Sequence, residues 1–287
     1  MKLLSIAIPT YNRCEKLVKL LNFLYEEMVG FDSSFQESIE VLVCNNCSTD
    51  NTEEVIKNII DSNDYPFLLR YHCNEKNVGL LGNLLTVTRL AEGRYLWMMG
   101  DDDLYHNGIV SMVYEKVRSL QYSYIFINHT TFRLKVGDGL NSMLDGIDVH
   151  RVDSEVILDI LNNNFGAPMF MSAEVYEAKY IREFIANKMP INICLPLGFS
   201  LYSASKGNVG IIPEAMIDDD CGNVSWTDVM KQVDLFFKPV YFKMAISLPF
   251  KKSKSIKIFI SYIYKKRKMY FRYFFIEPIK KCLVSNM

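Results

Sequence analysis

Three consecutive carboxylates, Asp101-Asp102-Asp103, stand at the end of the apolar run Tyr95–Met99. Adjacent carboxylates repel each other, and partial burial raises the cost of keeping them ionised. A divalent cation relieves both. Mg²⁺ and Mn²⁺ take oxygen ligands, and Mg²⁺ commonly uses one or two carboxylates together with substrate phosphates. Such a cation also takes up the negative charge that develops on a departing diphosphate. The alternative is a solvated acidic turn. The apolar run before the acids favours the cation, because it reads as a buried strand whose end faces a ligand.

Two further polar clusters follow apolar runs. Thr10-Tyr11-Asn12-Arg13 follows Leu3–Pro9, and Asn45-Asn46-Cys47-Ser48-Thr49-Asp50 follows Glu40–Cys44. Amides and a short acid in the second cluster suit hydrogen bonds to a base or ribose. The same residues suit the capped start of a helix, and the two roles are compatible. The Tyr11 ring offers a stacking face for a nucleobase, or simply packs at an edge. Cys44 and Cys47 form a C-x-x-C, but no second pair or histidine set accompanies them, so a zinc or redox role lacks its other ligands. His72, His106, His129 and His150 share no ligand spacing.

These clusters need elements that bring them together. The pattern predicts strands at Leu3–Pro9, Glu40–Cys44, Leu68–His72, Tyr95–Met99, Tyr124–Asn128 and Gly207–Pro213. It predicts helices at Glu15–Met28, from Ser48 to about Ile60, Asn77–Ala91, Ile109–Leu120, Ser154–Asn162 and Glu174–Asn187. Short apolar strands alternating with amphipathic helices imply an α/β fold with a mostly parallel central sheet. Open sheets of this kind bind ligands at the carboxyl ends of their strands. All three clusters sit at such ends.

The motifs Ser5–Arg13 (SIAIPTYNR), Val41–Thr52 (VLVCNNCSTDNT), Asn74–Asn83 (NEKNVGLLGN) and Ala91–Tyr105 (AEGRYLWMMGDDDLY) resemble, in order and spacing, the family 2 glycosyltransferases. The resemblance covers roughly Lys2–Leu120 and fades towards Pro213. It implies a GT-A type nucleotide-binding fold, a nucleoside-diphosphate sugar donor, a Mg²⁺ or Mn²⁺ cofactor and, usually, inversion at the anomeric carbon. By matching position it implies a donor site made of Pro9, Thr10, Tyr11, Asn12, Arg13, Asn45, Asn46, Asp50, Asn77, Gly79, Asn83, Asp101 and Asp102. Asp103, with Asp101, would hold the metal. Two positions depart from the family pattern. Asn45 stands where Asp is frequent, and Gly100 stands where many members have Asp. The second departure shifts weight from Asp101 towards Asp102 and Asp103.

Inverting transfer needs a carboxylate to deprotonate the acceptor hydroxyl. Relatives often carry it in an acidic pair before a helix of the second half. The matching segment here, Met189–Lys206, has no Asp or Glu. Asp218-Asp219-Asp220 is the nearest acidic cluster and supplies the base candidates, with a plain acidic loop as the alternative. Trp226 follows as a candidate platform for an acceptor sugar. A nucleotidyltransferase on a similar sheet would show a Gly-rich, basic loop after the first strand, and Thr10–Glu15 lacks one. A sugar-nucleotide-binding protein without catalysis is the remaining rival.

Composition bounds the rest. Hydrophobic residues make up 49% of the 287 and charged residues 23%, which suits a folded core. The net charge of −1 hides an asymmetry: residues 1–230 carry 18 Lys+Arg against 31 Asp+Glu (−13), and residues 231–287 carry 14 against 2 (+12). The reading is a domain over 1–225, divided into a nucleotide-sugar half (1–130) and an acceptor half (131–225), then a basic, aromatic helical extension over 226–287. Within the extension, Lys251–Lys281 interleaves Lys and Arg with Ile, Phe and Tyr. This suits a helix lying on an anionic membrane, serving a glycan or lipid-linked acceptor. Packing on the domain is the alternative; the acidic domain argues against nucleic acid. Seven scattered cysteines do not look like a disulfide framework, and the start Met1-Lys2 leads straight into a strand. The expected place is therefore the cytoplasm, peripheral on the inner face of the cell membrane, in surface polysaccharide or lipopolysaccharide synthesis.

Overall fold

The computed structural model describes residues 2–62, 64–131, 143–219 and 231–276. Among them, eight strands form one sheet in the order β3-β2-β1-β4-β7-β6-β8-β5. The strands are β1 (Leu4–Thr10), β2 (Ile39–Asn45), β3 (Leu68–Cys73), β4 (Tyr95–Met98), β5 (Leu104–Tyr105), β6 (Tyr122–Thr131), β7 (Glu174–Glu177) and β8 (Asn208–Asp219). β5 and β7 run against the other six, so the sheet is mostly parallel, as expected.

The central strands are buried on both faces, which is why they read as continuous apolar runs rather than alternating ones. Leu4, Ile6 and Ile8 of β1 join Tyr95, Trp97 and Met99 under α1 (Cys14–Met28) and α5 (Ile109–Arg118). Ala7, Leu42, Leu96 and Met98 face the opposite layer. That layer holds α4 (Gly79–Leu90), α6 (Val156–Asn163), α7 (Ala178–Ala186) and α8 (Leu195–Ala204). Two short helices, α2 (Ser33–Ser38) and α3 (Thr52–Ser62), flank β2. Near the amino end of the sheet, Glu40 ties strands together. Its buried carboxylate accepts hydrogen bonds from Ser5 Oγ, from Arg70 at 2.6 Å and from the Glu92 amide at 2.7 Å.

Three expectations about elements change. Glu174–Asn187 reads as one helix, but Glu174–Glu177 is a strand and the helix starts at Ala178. A four-residue strand between β4 and β6 is stabilised by partners remote in sequence, so a local helical period masks it. The strand expected at Gly207–Pro213 continues to Asp219. Its register with β6 shifts between the Ile127/Ile212 and His129/Ile217 pairs, and this irregularity accommodates Pro213. The acids Asp218 and Asp219 therefore belong to a strand rather than to a loop after it. The two-residue β5 carries no period at all.

The extension forms α9 (Lys238–Ser247) and α10 (Lys252–Phe271), with π-helical turns at Val233–Phe237 and Arg272–Ile276. Tyr241, Phe242, Ile258 and Tyr262 are buried in the same core as α4 and α8. Among the described residues, no helix is long and apolar enough to cross a membrane.

Candidate active site

The carboxyl ends of β1, β2 and β4 meet at one edge. Thr10 and Asn45 are register partners, and the Met99 amide donates to the Ala7 carbonyl at 2.9 Å, which brings Gly100–Asp103 beside the β1 loop. The chain then leaves both parallel strands through left-handed backbone, Asn12 at φ 53° and Cys47 at φ 60°. Such conformations cost energy outside glycine and are least unfavourable for Asn. Each turn is held by the other: the Asn12 amide donates to Ser48 Oγ at 2.9 Å, and the Thr49 amide donates to Asn12 Oδ1 at 2.7 Å.

The three acids are not equivalent. Asp101 is buried, and both of its oxygens are engaged: Thr10 Oγ1 donates to Oδ2 at 2.6 Å and Arg13 donates to Oδ1 at 2.8 Å. Burial pushes the Asp101 carboxyl above its ordinary value despite these bonds. Arg13 also reaches Asp102 Oδ2 at 2.8 Å, and the Asp102 side chain is 28% exposed. Asp103 Oδ2 accepts from Ser172 Oγ at 2.5 Å, and Ser172 Oγ in turn accepts from the Gly100 amide at 2.9 Å. A Cβ on Gly100 would lie 2.5 Å from Asp103 Oδ2, closer than real Cβ contacts come. An acid at that position would therefore displace Asp103.

The amide residues form a second layer. Asn46 Nδ2 donates to Asn77 Oδ1 at 2.9 Å and to the Gly79 carbonyl at 3.3 Å, and its Oδ1 accepts from Asn74 at 3.1 Å and from the Val78 amide at 3.0 Å. Asn83 joins Asn74 at 2.9 Å and the Cys44 carbonyl at 3.0 Å. This network pins the start of α4, where Gly79 at φ +74° makes the turn, to the end of β2. Asn45 spends its side chain on Tyr71 and the Ser48 amide, both at 2.9 Å. Asp50 caps two helices, accepting from the Cys14 amide at 3.2 Å and from the Thr52 amide at 3.1 Å. Burial works to raise its carboxyl, but the Thr52 and Cys14 hydrogen bonds outweigh burial and hold it below its ordinary value. Pro9 is buried in β1, and Tyr11 is 41% exposed at the mouth.

On the second half of the edge, β8 pairs β5 so that Asp218 lies opposite Leu104, the residue after Asp103. Asp218 accepts from Thr130 Oγ1 of β6, and its other oxygen lies 3.3 Å from His106 Nε2. Asp219 pairs with Thr131 in the same register. Asp220 and Trp226 lie outside the described residues. The acid-free segment Met189–Lys206 contains α8 (Leu195–Ala204), whose ten residues are all buried, and before it Asn192 Oδ1 accepts from the Cys194 amide at 2.8 Å. Among the described residues, no group of three or more His, Cys, Asp or Glu is arranged to hold a metal ion. Cys44 is a free, buried thiol that burial pushes up to about 12.

Ser172 and Asn74 are absent from the sequence-derived site. Ser172 sits in a short 3-10 turn before β7 with no motif around it, and only the approach of β7 to β4 brings it to Asp103. Asn74 was legible as the first residue of the Asn74–Asn83 motif. Its buried amide bridging Asn46 and Asn83 gives it a role.

With this geometry in place, the chain compares directly with known proteins. The glycosyl transferase family 2 model matches residues 5–148. The chain belongs to this family. Abequosyltransferase RfbV of Salmonella typhimurium is 41% identical over 101 residues, 35% of this chain and 28% of the relative. That match therefore spans under a third of the curated relative's length. Among solved structures, S. aureus TarS 1-349 superposes with a TM-score of 0.68 at 15% identity, covering 98% of this chain and 77% of TarS. The Pyrobaculum calidifontis mannosyltransferase PcManGT, solved with GDP-Man and Mn²⁺, gives 0.58 at 11%, covering 92% and 75%. These two likenesses establish the GT-A fold of this chain.

Proposed function

We propose that this glycosyltransferase moves a sugar from a nucleoside-diphosphate sugar to a hydroxyl of a glycan or lipid-linked glycan, with inversion, in surface polysaccharide synthesis at the inner face of the cell membrane. The observation that carries this reading is the acid cluster at the carboxyl edge. Asp101 is clamped by Thr10 and Arg13, Arg13 also holds Asp102, and the exposed Tyr11 lies between the two clamping residues in the chain.

In this reading Tyr11 stacks on the base, and Asn45 and Asn46, whose side chains are spent on the network, position the loop that faces base and ribose. Asp101 is a positioning residue, because Thr10 and Arg13 already occupy its oxygens. Arg13 holds Asp101 and Asp102 together, limiting their repulsion before donor arrives. Asp103 and Asp102 would hold Mg²⁺ or Mn²⁺. Their fit is that of a site completed by substrate: one or two carboxylates, with the remaining oxygens from the donor diphosphate. When bound, the cation would supply charge stabilisation to the departing diphosphate.

Asp218 is the proposed base. Its register position next to Leu104 supports this, as does the absence of any acid along α8. The acceptor oxygen forms a bond to the anomeric carbon. The bond from that carbon to the diphosphate oxygen breaks, its electron pair leaves on the nucleoside diphosphate, and the hydroxyl proton passes to Asp218. Asp219 and Asp220, the next two residues of the sequence, are the other base candidates, and Trp226 remains the proposed acceptor platform.

Calorimetry with UDP, GDP, CDP and dTDP, with and without Mn²⁺, tests the donor site. One nucleotide is expected to bind in a metal-dependent manner, and Asp103→Ala to lose that binding. No binding of any of the four to folded protein would overturn the donor site.

A further inference from the structure

The outward face of α10 and its terminal turn carries an apolar ridge that is exposed among the described residues. Inwardly, Ser255, Ile258 and Tyr262 are buried, Tyr262 Oη donates to the Asp234 carbonyl at 2.6 Å, and Lys266 pairs with Asp234 at 2.5 Å. These contacts fix which side of the helix faces out. Outwardly, Ile260 and Tyr264 are each 61% exposed, Phe271 58%, Phe274 52% and Phe275 60%. Four-residue spacing from Ile256 through Ile260 to Tyr264 stacks them on one stripe, and Phe271 continues it. Lys257, Arg267 and Lys268 are exposed along it, and the Arg267 guanidinium lies 3.9 Å over the Tyr264 ring. Between Lys251 and Ile276 there are nine Lys and Arg and no acid.

We infer that this ridge docks on an anionic lipid bilayer, with Ile260, Tyr264, Phe271, Phe274 and Phe275 entering the interface and the flanking cations meeting lipid phosphates. Apolar and aromatic side chains on one face with cations beside them are what an interfacial helix needs. Charge selects this occupant over a second copy of the chain. Two such stripes face to face would bring like charges together, whereas anionic headgroups complement them. The same asymmetry orients the protein. Residues 1–230 carry −13 and are repelled by the surface that attracts the +12 of residues 231–287. The inference extends the membrane-face reading above by naming the surface and its lipid chemistry, and it stands independently of the donor site.

Sedimentation of the full chain with vesicles tests it. Binding to phosphatidylcholine vesicles containing phosphatidylglycerol is expected to exceed binding to phosphatidylcholine alone by about tenfold or more, and to weaken as salt rises. Lys257→Glu with Lys268→Glu should abolish the lipid preference, and Ile260→Glu with Phe271→Glu should abolish binding to both. All four side chains are exposed, so circular dichroism and nucleotide calorimetry should match the parent. The inference falls if the parent ignores anionic vesicles or if the apolar variant binds them equally. It also falls if ultracentrifugation shows a dimer that Phe271→Glu dissociates. Vesicle binding by a chain that binds no nucleotide would leave it intact and overturn only the donor reading.

Discussion

Two buried carboxylates show how differently the halves of this molecule treat charge. Asp101, at the edge where β1 and β4 end, faces a guanidinium and a hydroxyl, and sits next to two more acids. Glu174, at the start of β7, is fully buried against the hydroxyls of Tyr124 and Ser200, and among the described residues no cation pairs with it. Burial pushes its carboxyl up to about 8. Glu174 Oε1 and Ser203 Oγ have no hydrogen-bond partner among the described residues. The first half concentrates negative charge at an open edge, where a cationic group can join it. The second half holds its acid protonated as a hydrogen-bonding tie between β6, β7 and α8. Asp218, the proposed base, sits on a partly exposed strand, with His106 Nε2 3.3 Å from one oxygen and the Thr130 hydroxyl on the other.

The sharpest way to break this comparison is Asp218→Asn. If Asp218 is the base, the transfer rate should fall by about 100-fold or more while donor binding is unchanged, measured by initial rates and calorimetry on the same samples. An unchanged rate would return the base role to Asp219 or Asp220. Next in size is Glu174→Gln. A carboxyl raised from 4.5 to about 8 gives stability that is full below pH 4.5 and lost as pH rises towards 8. The amide should remove that loss, so thermal melting should show a gain over the parent at pH 8 and little difference at pH 4. A parent whose stability is flat across that range would mean that burial does not hold Glu174 protonated. The smallest effect expected is Asn46→Ala, about 1–2 kcal/mol less stable in urea melts from the loss of four hydrogen bonds partly replaced by water. A loss of nucleotide binding without loss of stability would instead make Asn46 a direct donor contact.

Legibility followed the same division. β1, β2 and β4 were readable because strands covered on both faces must be apolar throughout, and the polar residues that end them must then face a ligand or cap a helix. Ser172 was not readable. It is one hydroxyl in a short turn, and its partner Asp103 is brought to it by β7 pairing with β4. The Arg13 clamp was half readable: its position in the first loop was evident, but its bond to Asp101 spans 88 residues.

By itself, the amino-acid sequence determined the α/β class, the family, the acid cluster, the absence of an acid along Met189–Lys206 and the opposed charges of the two ends. Each is a property of residue type and local order, set by burial period and by net charge. Only the tertiary structure decided which acid of the cluster is clamped, which hydroxyl holds Asp103, that Asp218 lies one strand away from the cluster, and which side of α10 faces outward. Each of those depends on strand pairing and packing between segments far apart in the chain, where no local period carries the information.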